Sequence, residues 1–412
     1  MTALALVLAV IAVGELTMFA LVRLYRRSFP WLITRGDEAP ALGPDVVQAH
    51  ADRSFDALLG WCRRPGEHGT EVTADGTVTF SVDALGRRTE PAHADGAPAP
   101  IACFGDSFTF CRLVGDDETW PHHLSLLTGV NVANYGVGNY GLDQALLRLE
   151  RELPGLDADI VIMGVVPETI ARVQSAWKHY FEYGNTLAFK PRFTLGPDGL
   201  VLHPSVIRRP EDYFDYRRHL PALREIDPFY RRKFRADQLG FPYLPKLVRR
   251  FRRHLPILFH LTAGRIGRSP DGGFRRAFEV VVAENHRLAS RLYREDESTA
   301  LLAALVRRFA DVCAAAGKAP VLAILPQPAD LVGAVAAHED FVRSLSAVLP
   351  VIDLTPAFRA ESDRTALYAE GKLGPHASDH GNRIIARTLA ERVPALRSML
   401  AAEGAHAEKE RK

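Results

Sequence analysis

A serine becomes a useful nucleophile only when a neighbouring imidazole can take its proton, and this chain carries a candidate for each group. Ser107 stands in Gly105-Asp106-Ser107-Phe108, directly after the apolar run Ile101-Ala102-Cys103-Phe104. A short buried strand that stops on Gly-Asp-Ser presents the serine at the carboxyl end of a sheet, where open α/β folds place ligands and chemistry. His376 lies 269 residues downstream, in Gly374-Pro375-His376-Ala377-Ser378-Asp379-His380-Gly381-Asn382, just ahead of the helical run 383–393. The pair predicts acyl transfer to or from a hydroxyl.

The elements that must position these groups follow a clear pattern. Residues 118–127 read as a helix, 130–134 as a strand, 144–153 as an amphipathic helix and 159–166 as a buried strand. Later, 300–316 is helical, 320–326 and 351–354 are strands, and 382–393 is a closing helix that stops before Pro394. Continuous apolar strands separated by helices predict a mostly parallel sheet with both faces covered. Before it, residues 36–97 are rich in Gly, Pro, Asp and Ala and hold one alternating stretch, 77–82, which reads as a strand. Pro98 and Pro100 then mark a linker, because neither can donate to a ladder.

Three blocks in this order resemble the SGNH/GDSL hydrolase superfamily. Gly105-Asp106-Ser107-Phe108 is similar to its nucleophile block, and Asn134-Tyr135-Gly136-Val137-Gly138-Asn139-Tyr140-Gly141-Leu142-Asp143-Gln144 to its second. His376-Ala377-Ser378, followed by Gly381-Asn382 and Ile384-Ile385-Ala386, is similar to its terminal histidine block. The resemblance covers roughly residues 55–395. It implies a flavodoxin-like three-layer α/β/α fold, with Ser107 as nucleophile and His376 as general base.

It also implies an oxyanion hole made from the N–H groups of Ser107 and Gly136. Asp106 is expected to position the turn. The third block of the family normally supplies an asparagine, whereas this chain reads Gly164-Val165-Val166-Pro167-Glu168-Thr169. The Thr169 hydroxyl is a replacement donor, and Glu168 could contact substrate or position an arginine. For the base, His380 is the rival, but the spacing His-x-Ser-x-x-Gly-Asn selects His376. The family's orienting aspartate falls on Leu373 or Gly374 here, so either Glu370 substitutes or a backbone carbonyl orients the imidazole in a dyad.

Length and composition bound the rest. The 412 residues exceed one average domain and fit a large α/β domain with an insertion. A formal net charge of +2 gives no overall attraction to nucleic acid, and no recognised nucleic-acid module accompanies the basic residues. Four cysteines, Cys62, Cys103, Cys111 and Cys313, show neither metal-ligand spacing nor a dense disulfide pattern. With no phosphate-cradling glycine loop either, the expectation is chemistry without cofactor or metal.

Residues 3–22 form an apolar run broken by Glu15 and Thr17, followed by Arg23, Arg26 and Arg27. About 20 such residues span a hydrocarbon core of roughly 30 Å. The flanks lack a positive n-region and an Ala-x-Ala site, so the expectation is a retained anchor rather than a cleaved signal peptide. Charges after the span favour a cytoplasmic domain, whereas similar enzymes acting on exported glycans favour the outer face. The segment 175–278 breaks the α/β pattern and is dense in arginine and aromatics. It reads either as a membrane or anionic-glycan contact or as a solvated face with its arginines paired.

The expected organisation is thus an anchor at 1–24, a lead-in at 25–97, a hydrolase-like domain at 98–398 carrying that insert, and a charged tail at 399–412. The expected function is a serine esterase or O-acyltransferase acting on an acyl group, acetyl above all, carried by a carbohydrate hydroxyl. The carbohydrate follows from the resemblance alone. The alternatives are a lipid esterase or lysophospholipase working at the membrane, and a catalytically degenerate glycan-binding component of envelope polysaccharide assembly.

Overall fold

The computed structural model describes residues 3–34, 36, 41–94, 96–333, 335–371 and 374–400. They gather into two compact units. A sheet unit takes residues 52–173, 191–203 and 289 onward, and a helical unit takes residues up to 51, 174–190 and 204–288.

In the sheet unit, a hairpin of β1 (His68–Thr73) and β2 (Gly76–Ser81) precedes a five-stranded sheet. The sheet strands are β3 (Ile101–Gly105), β4 (Val132–Asn134), β5 (Ile160–Val165), β6 (Ala319–Ile324) and β7 (Val351–Asp353), in the order β7-β6-β5-β3-β4. All four pairings are parallel. The register sets Gly105 beside Gly164, Cys103 beside Asn134 and Ile324 beside Asp353. The carboxyl ends of the strands therefore share one edge.

Between the strands run α1 (Ser107–Phe110), α2 (Trp120–Thr128), α3 (Leu142–Glu152), α4 (Thr169–Arg172), α5 (Asp296–Ala315) and α6 (Thr355–Ala360). A short antiparallel pair, β8 (Tyr368–Ala369) with β9 (His376–Ala377), leads into α7 (Asp379–Arg392). Ile101, Cys103, Ile160 and Ile162 join one apolar cluster with residues of α2, α6 and α7. The alternating partners Ala102, Phe104, Val161 and Met163 are equally buried, with α3 packed on β3 and α5 on β6. Strands buried on both faces need the uninterrupted apolar runs that the sequence provides. Helix ends follow local chemistry. Thr119 caps α2 by accepting the His122 N–H, and Ser378 caps α7 by accepting that of Gly381.

In the helical unit, Ala3–Tyr25 is a 23-residue helix, long and apolar enough to cross a membrane. Leu4, Val10 and Leu16 are exposed along it, while Met18, Val22 and Tyr25 are buried. These three share a cluster with Ile257, Leu258 and Leu261 of the helix Phe251–Ile266 and with Ala277 and Val281 of the helix Pro270–Leu292. Part of the basic character read from 175–278 is internal. Asp237 is ringed by Lys233, Arg250 and Arg253, with Lys233 at 3.1 Å and Arg253 at 3.5 Å.

Candidate active site

The turn that carries Ser107 is shaped by two glycines and an aspartate. A Cβ on Gly105 would meet the Gly164 carbonyl oxygen at 1.9 Å and Thr109 Oγ1 at 2.5 Å. A Cβ on Gly164 would meet the same Thr109 oxygen at 2.4 Å. With both absent, Thr109 Oγ1 reaches across and donates to the Gly164 carbonyl at 2.8 Å, which ties α1 onto β5. Asp106 caps α1, accepting from the Phe108 N–H at 2.8 Å and from the Val166 N–H at 3.0 Å. The short helix then ends on Cys111 in the left-handed conformation. Trp120 Nε1 donates to the Phe108 carbonyl at 3.1 Å and pins the turn from α2.

His376 is delivered by the β8–β9 ribbon, paired with Ala369. Its Nε2 lies 2.9 Å from Ser107 Oγ, and its ring packs on Phe108 with centroids 4.8 Å apart. Nδ1 faces the Gly374 carbonyl at 3.3 Å. The spacing around this histidine has a physical cause. A Cβ on Gly381 would sit 2.4 Å from the Leu367 carbonyl oxygen, so glycine lets α7 press against the chain entering β8, the partner of the strand that holds His376. Asn382 then donates to the Glu118 carbonyl at 3.0 Å and ties α7 to the approach of α2.

Both members of the pair are nearly out of solvent, with Ser107 6% and His376 7% exposed. Burial pushes the imidazole pKa down to about 3, the positive charges of Arg112 and Arg172 push the same way, and the Gly374 carbonyl opposes them. At neutral pH the ring is therefore an uncharged acceptor, which is the state a general base requires.

Two arginines flank the pair. Arg172 contacts Asp106 Oδ2 at 3.2 Å, Glu168 Oε2 at 2.8 Å and the Tyr140 carbonyl at 3.2 Å. Glu168 thus positions an arginine. Burial pushes the Asp106 carboxyl pKa up, and Arg172 with the two N–H donors pulls it back. Arg112 is held by Glu71 of β1, whose other oxygen accepts the Leu113 N–H at 2.7 Å. Behind the turn, the Arg88 side chain is 1% exposed, pairs with Asp116 and donates to the carbonyls of Phe110, Cys111 and Val114. It organises the chain that leaves Ser107.

The structure brings Ser107, Asp106 and His376 together. His380 sits at the surface, half exposed and 3.5 Å from Glu361, away from the serine. Glu370 is exposed, and its carbonyl accepts the Ala74 N–H. The group at His376 Nδ1 is the Gly374 carbonyl. Leu373 lies outside the described residues. Gly136 stands against α1, where a Cβ would meet the Phe110 nitrogen at 2.2 Å. Its N–H donates to Asn134 Oδ1 at 2.9 Å, so oxyanion donation by this group requires that bond to be exchanged. Thr169 is buried, and its Oγ1 accepts the Leu142 N–H at 2.9 Å.

Sequence reasoning missed Arg88, Arg112 and Arg172. The spacing Glu168-x-x-x-Arg172, one helical turn after a buried strand, was the available signal for Arg172. Arg88 and Glu71 carried none, because the stretch around them reads as a lead-in.

No family model matches the chain, and no curated protein matches it. Among solved structures, the chain is similar to one described as a "putative lipolytic protein of G-D-S-L family" from Desulfitobacterium hafniense DCB-2. That likeness has 12% identity and a TM-score of 0.31, over 71% of this chain and 98% of the other.

Proposed function

We propose that the sheet unit is an SGNH-type serine esterase or O-acyltransferase. The observation that carries this reading is the 2.9 Å approach of His376 Nε2 to Ser107 Oγ on the carboxyl edge of a parallel sheet. Ser107 Oγ attacks the ester carbonyl while its proton passes to His376 Nε2. The tetrahedral oxyanion is held by the Ser107 N–H, which opens α1 where helical geometry supplies no carbonyl partner. The Gly136 N–H joins it if Asn134 releases it.

The imidazolium then returns its proton to the departing alkoxide, leaving an acyl-serine. Water completes hydrolysis, and a sugar hydroxyl completes transfer. The Gly374 carbonyl does the orienting work of an acid, as a dyad. Arg112 and Arg172 act in two directions: they disfavour the imidazolium, and they favour a negatively charged oxyanion nearby. The preference for acetyl on carbohydrate rests on the resemblance of the three sequence blocks.

The test is hydrolysis of short- and long-chain aryl esters by the detergent-solubilised full chain, beside Ser107→Ala and His376→Ala. Loss of turnover by about a thousandfold or more in each variant is expected, since the members of such a unit act together. A preference for acetyl esters supports the carbohydrate-type assignment. A rate that climbs with acyl length and with presented bilayer moves it to a lipid esterase. A parent that neither turns over nor labels at Ser107 with a fluorophosphonate overturns catalysis in favour of a glycan-binding role.

A further inference from the structure

Among its described residues, the helical unit carries an apolar surface left exposed. One side of the helix Phe251–Ile266 is buried through Arg253, His254, Ile257, Leu258, Leu261 and Gly264. On the other side, Phe251 is 53%, Leu255 56%, Phe259 64% and Ile266 78% exposed. At 3.6 residues per turn these four fall within an arc of about 80°. Arg252 and Arg265 border that arc on its two sides. Between Asp237 and Asp271 the sequence has no carboxylate. Of the basic residues there, Arg250 and Arg253 turn inward to Asp237, while Arg249, Arg252, Arg265 and Arg268 are exposed.

What covers the stripe follows from its attachment to the helix Ala3–Tyr25. Glu15, near the middle of that helix, accepts the Tyr243 N–H at 2.7 Å and the Leu244 N–H at 2.9 Å. Gly14 permits the approach, since a Cβ there would meet Leu244 Cδ1 at 2.9 Å. Ten residues further on, the Tyr25 hydroxyl meets Thr262 Oγ1 at 3.1 Å, about 15 Å along the helix axis. A bilayer that encloses Ala3–Tyr25 as a span therefore also encloses residues 241–244 at the depth of Glu15. It meets the helix Phe251–Ile266 near the level of Tyr25, where the span ends. Phe241, 77% exposed, is then a lipid-facing side chain. Glu15 is an ionisable group within an apolar span that finds its partners inside the protein, as such groups must.

We propose that residues 241–266 form a second membrane element. Residues 241–244 dip into the acyl region beside Glu15, and the Phe251, Leu255, Phe259 and Ile266 stripe lies in the boundary of an anionic leaflet. An apolar arc bordered by arginines is the pattern of a helix lying in the membrane plane, and the exposed arginines fit anionic headgroups. The proposal rests on the span and is independent of the ester chemistry.

All four native cysteines are buried, so a nitroxide label can be directed to an introduced one. The full chain is reconstituted in nanodiscs of phosphatidylcholine with phosphatidylglycerol, with single labels at Leu8→Cys, Leu255→Cys, Phe259→Cys and, as an aqueous control, Val72→Cys. The expected result is faster relaxation by oxygen than by a water-soluble nickel chelate at 8, 255 and 259, and the reverse at 72. Labels at 255 and 259 that favour the chelate, with 8 still in lipid, overturn the proposal while the span stands. A label at 8 that favours the chelate removes the span and the proposal with it. Protection of 255 and 259 from both reagents assigns the face to a protein partner instead. Equal depth in discs without phosphatidylglycerol overturns the anionic leaflet.

Discussion

The sharpest consequence of the site is its response to acid. An ordinary histidine, with a pKa near 6.5, is only about 3% neutral at pH 5, so an enzyme relying on it loses about thirtyfold in kcat/KM between pH 7.5 and that pH. Burial between Phe108 and the buried turn, with Arg112 and Arg172 nearby, sets His376 at about 3 instead. The ring then stays almost entirely neutral at pH 5, and kcat/KM for a short aryl ester should be flat from pH 7.5 to 5. Rates would be read at the isosbestic wavelength of the phenol, in detergent. Where turnover is slow, the rate of Ser107 labelling by a fluorophosphonate reports the same protonation state. The stability consequence has a definite sign. A histidine whose folded pKa is depressed contributes stability that is complete above its unfolded pKa and is lost as pH falls towards the folded one. Between pH 6.5 and 4.5 the wild type should lose about 2–3 kcal/mol more than His376→Gln. His254, also depressed to about 3 by burial and by Arg253, cancels in that comparison. An acid limb near 6.5 in kcat/KM, or parallel stability losses in the two proteins, refutes the reasoning.

Two further outcomes test how the turn is held. Gly136→Ala drives a Cβ to within 2.2 Å of the Phe110 nitrogen and 2.6 Å of the Thr109 carbonyl carbon. It should cost about 1–3 kcal/mol in denaturant unfolding and slow Ser107 labelling. Gly138→Ala, which meets nothing within 4 Å, should be nearly silent in both. Arg88→Lys keeps the charge but loses the fork that reaches the Phe110, Cys111 and Val114 carbonyls. With two charge-assisted bonds lost, thermal unfolding should report a destabilisation of about 3 kcal/mol.

Much of the scaffold could be read directly. The apolar runs at 101–104, 159–166, 320–326 and 351–354 are all strands of one parallel sheet, within a residue or two of the expected ends. Period and continuity of apolar residues are local signals, and both faces of these strands are buried. The helix at 118–127 starts later than expected, at Trp120, because Thr119 and Pro121 supply a better cap and first turn. The hairpin was half legible. Residues 77–82 read as a strand, but its partner His68–Thr73 did not, since a sequence of His, Gly, Thr and Glu lacks the alternation of a half-buried strand.

By itself the sequence determined which residues could act and roughly where the sheet would present them. Gly-Asp-Ser after a buried strand, and His-x-Ser-x-x-Gly-Asn running into the first turn of a helix, encode the local turns that place Ser107 and His376, because glycines at 105 and 381 admit contacts that any Cβ would block. Tertiary structure alone decided the charges around them. Arg88, Arg112 and Arg172 reach the site through Asp116, Glu71, Asp106 and Glu168, from parts of the chain up to 66 residues apart. It also set the Gly374 carbonyl at His376 Nδ1, and it committed the Gly136 N–H to Asn134. Such choices depend on which donor meets which acceptor at about 3 Å once burial has removed water as the competing partner. Apart from the Glu168–Arg172 spacing, a single helical turn, no local pattern of residue types carries that information.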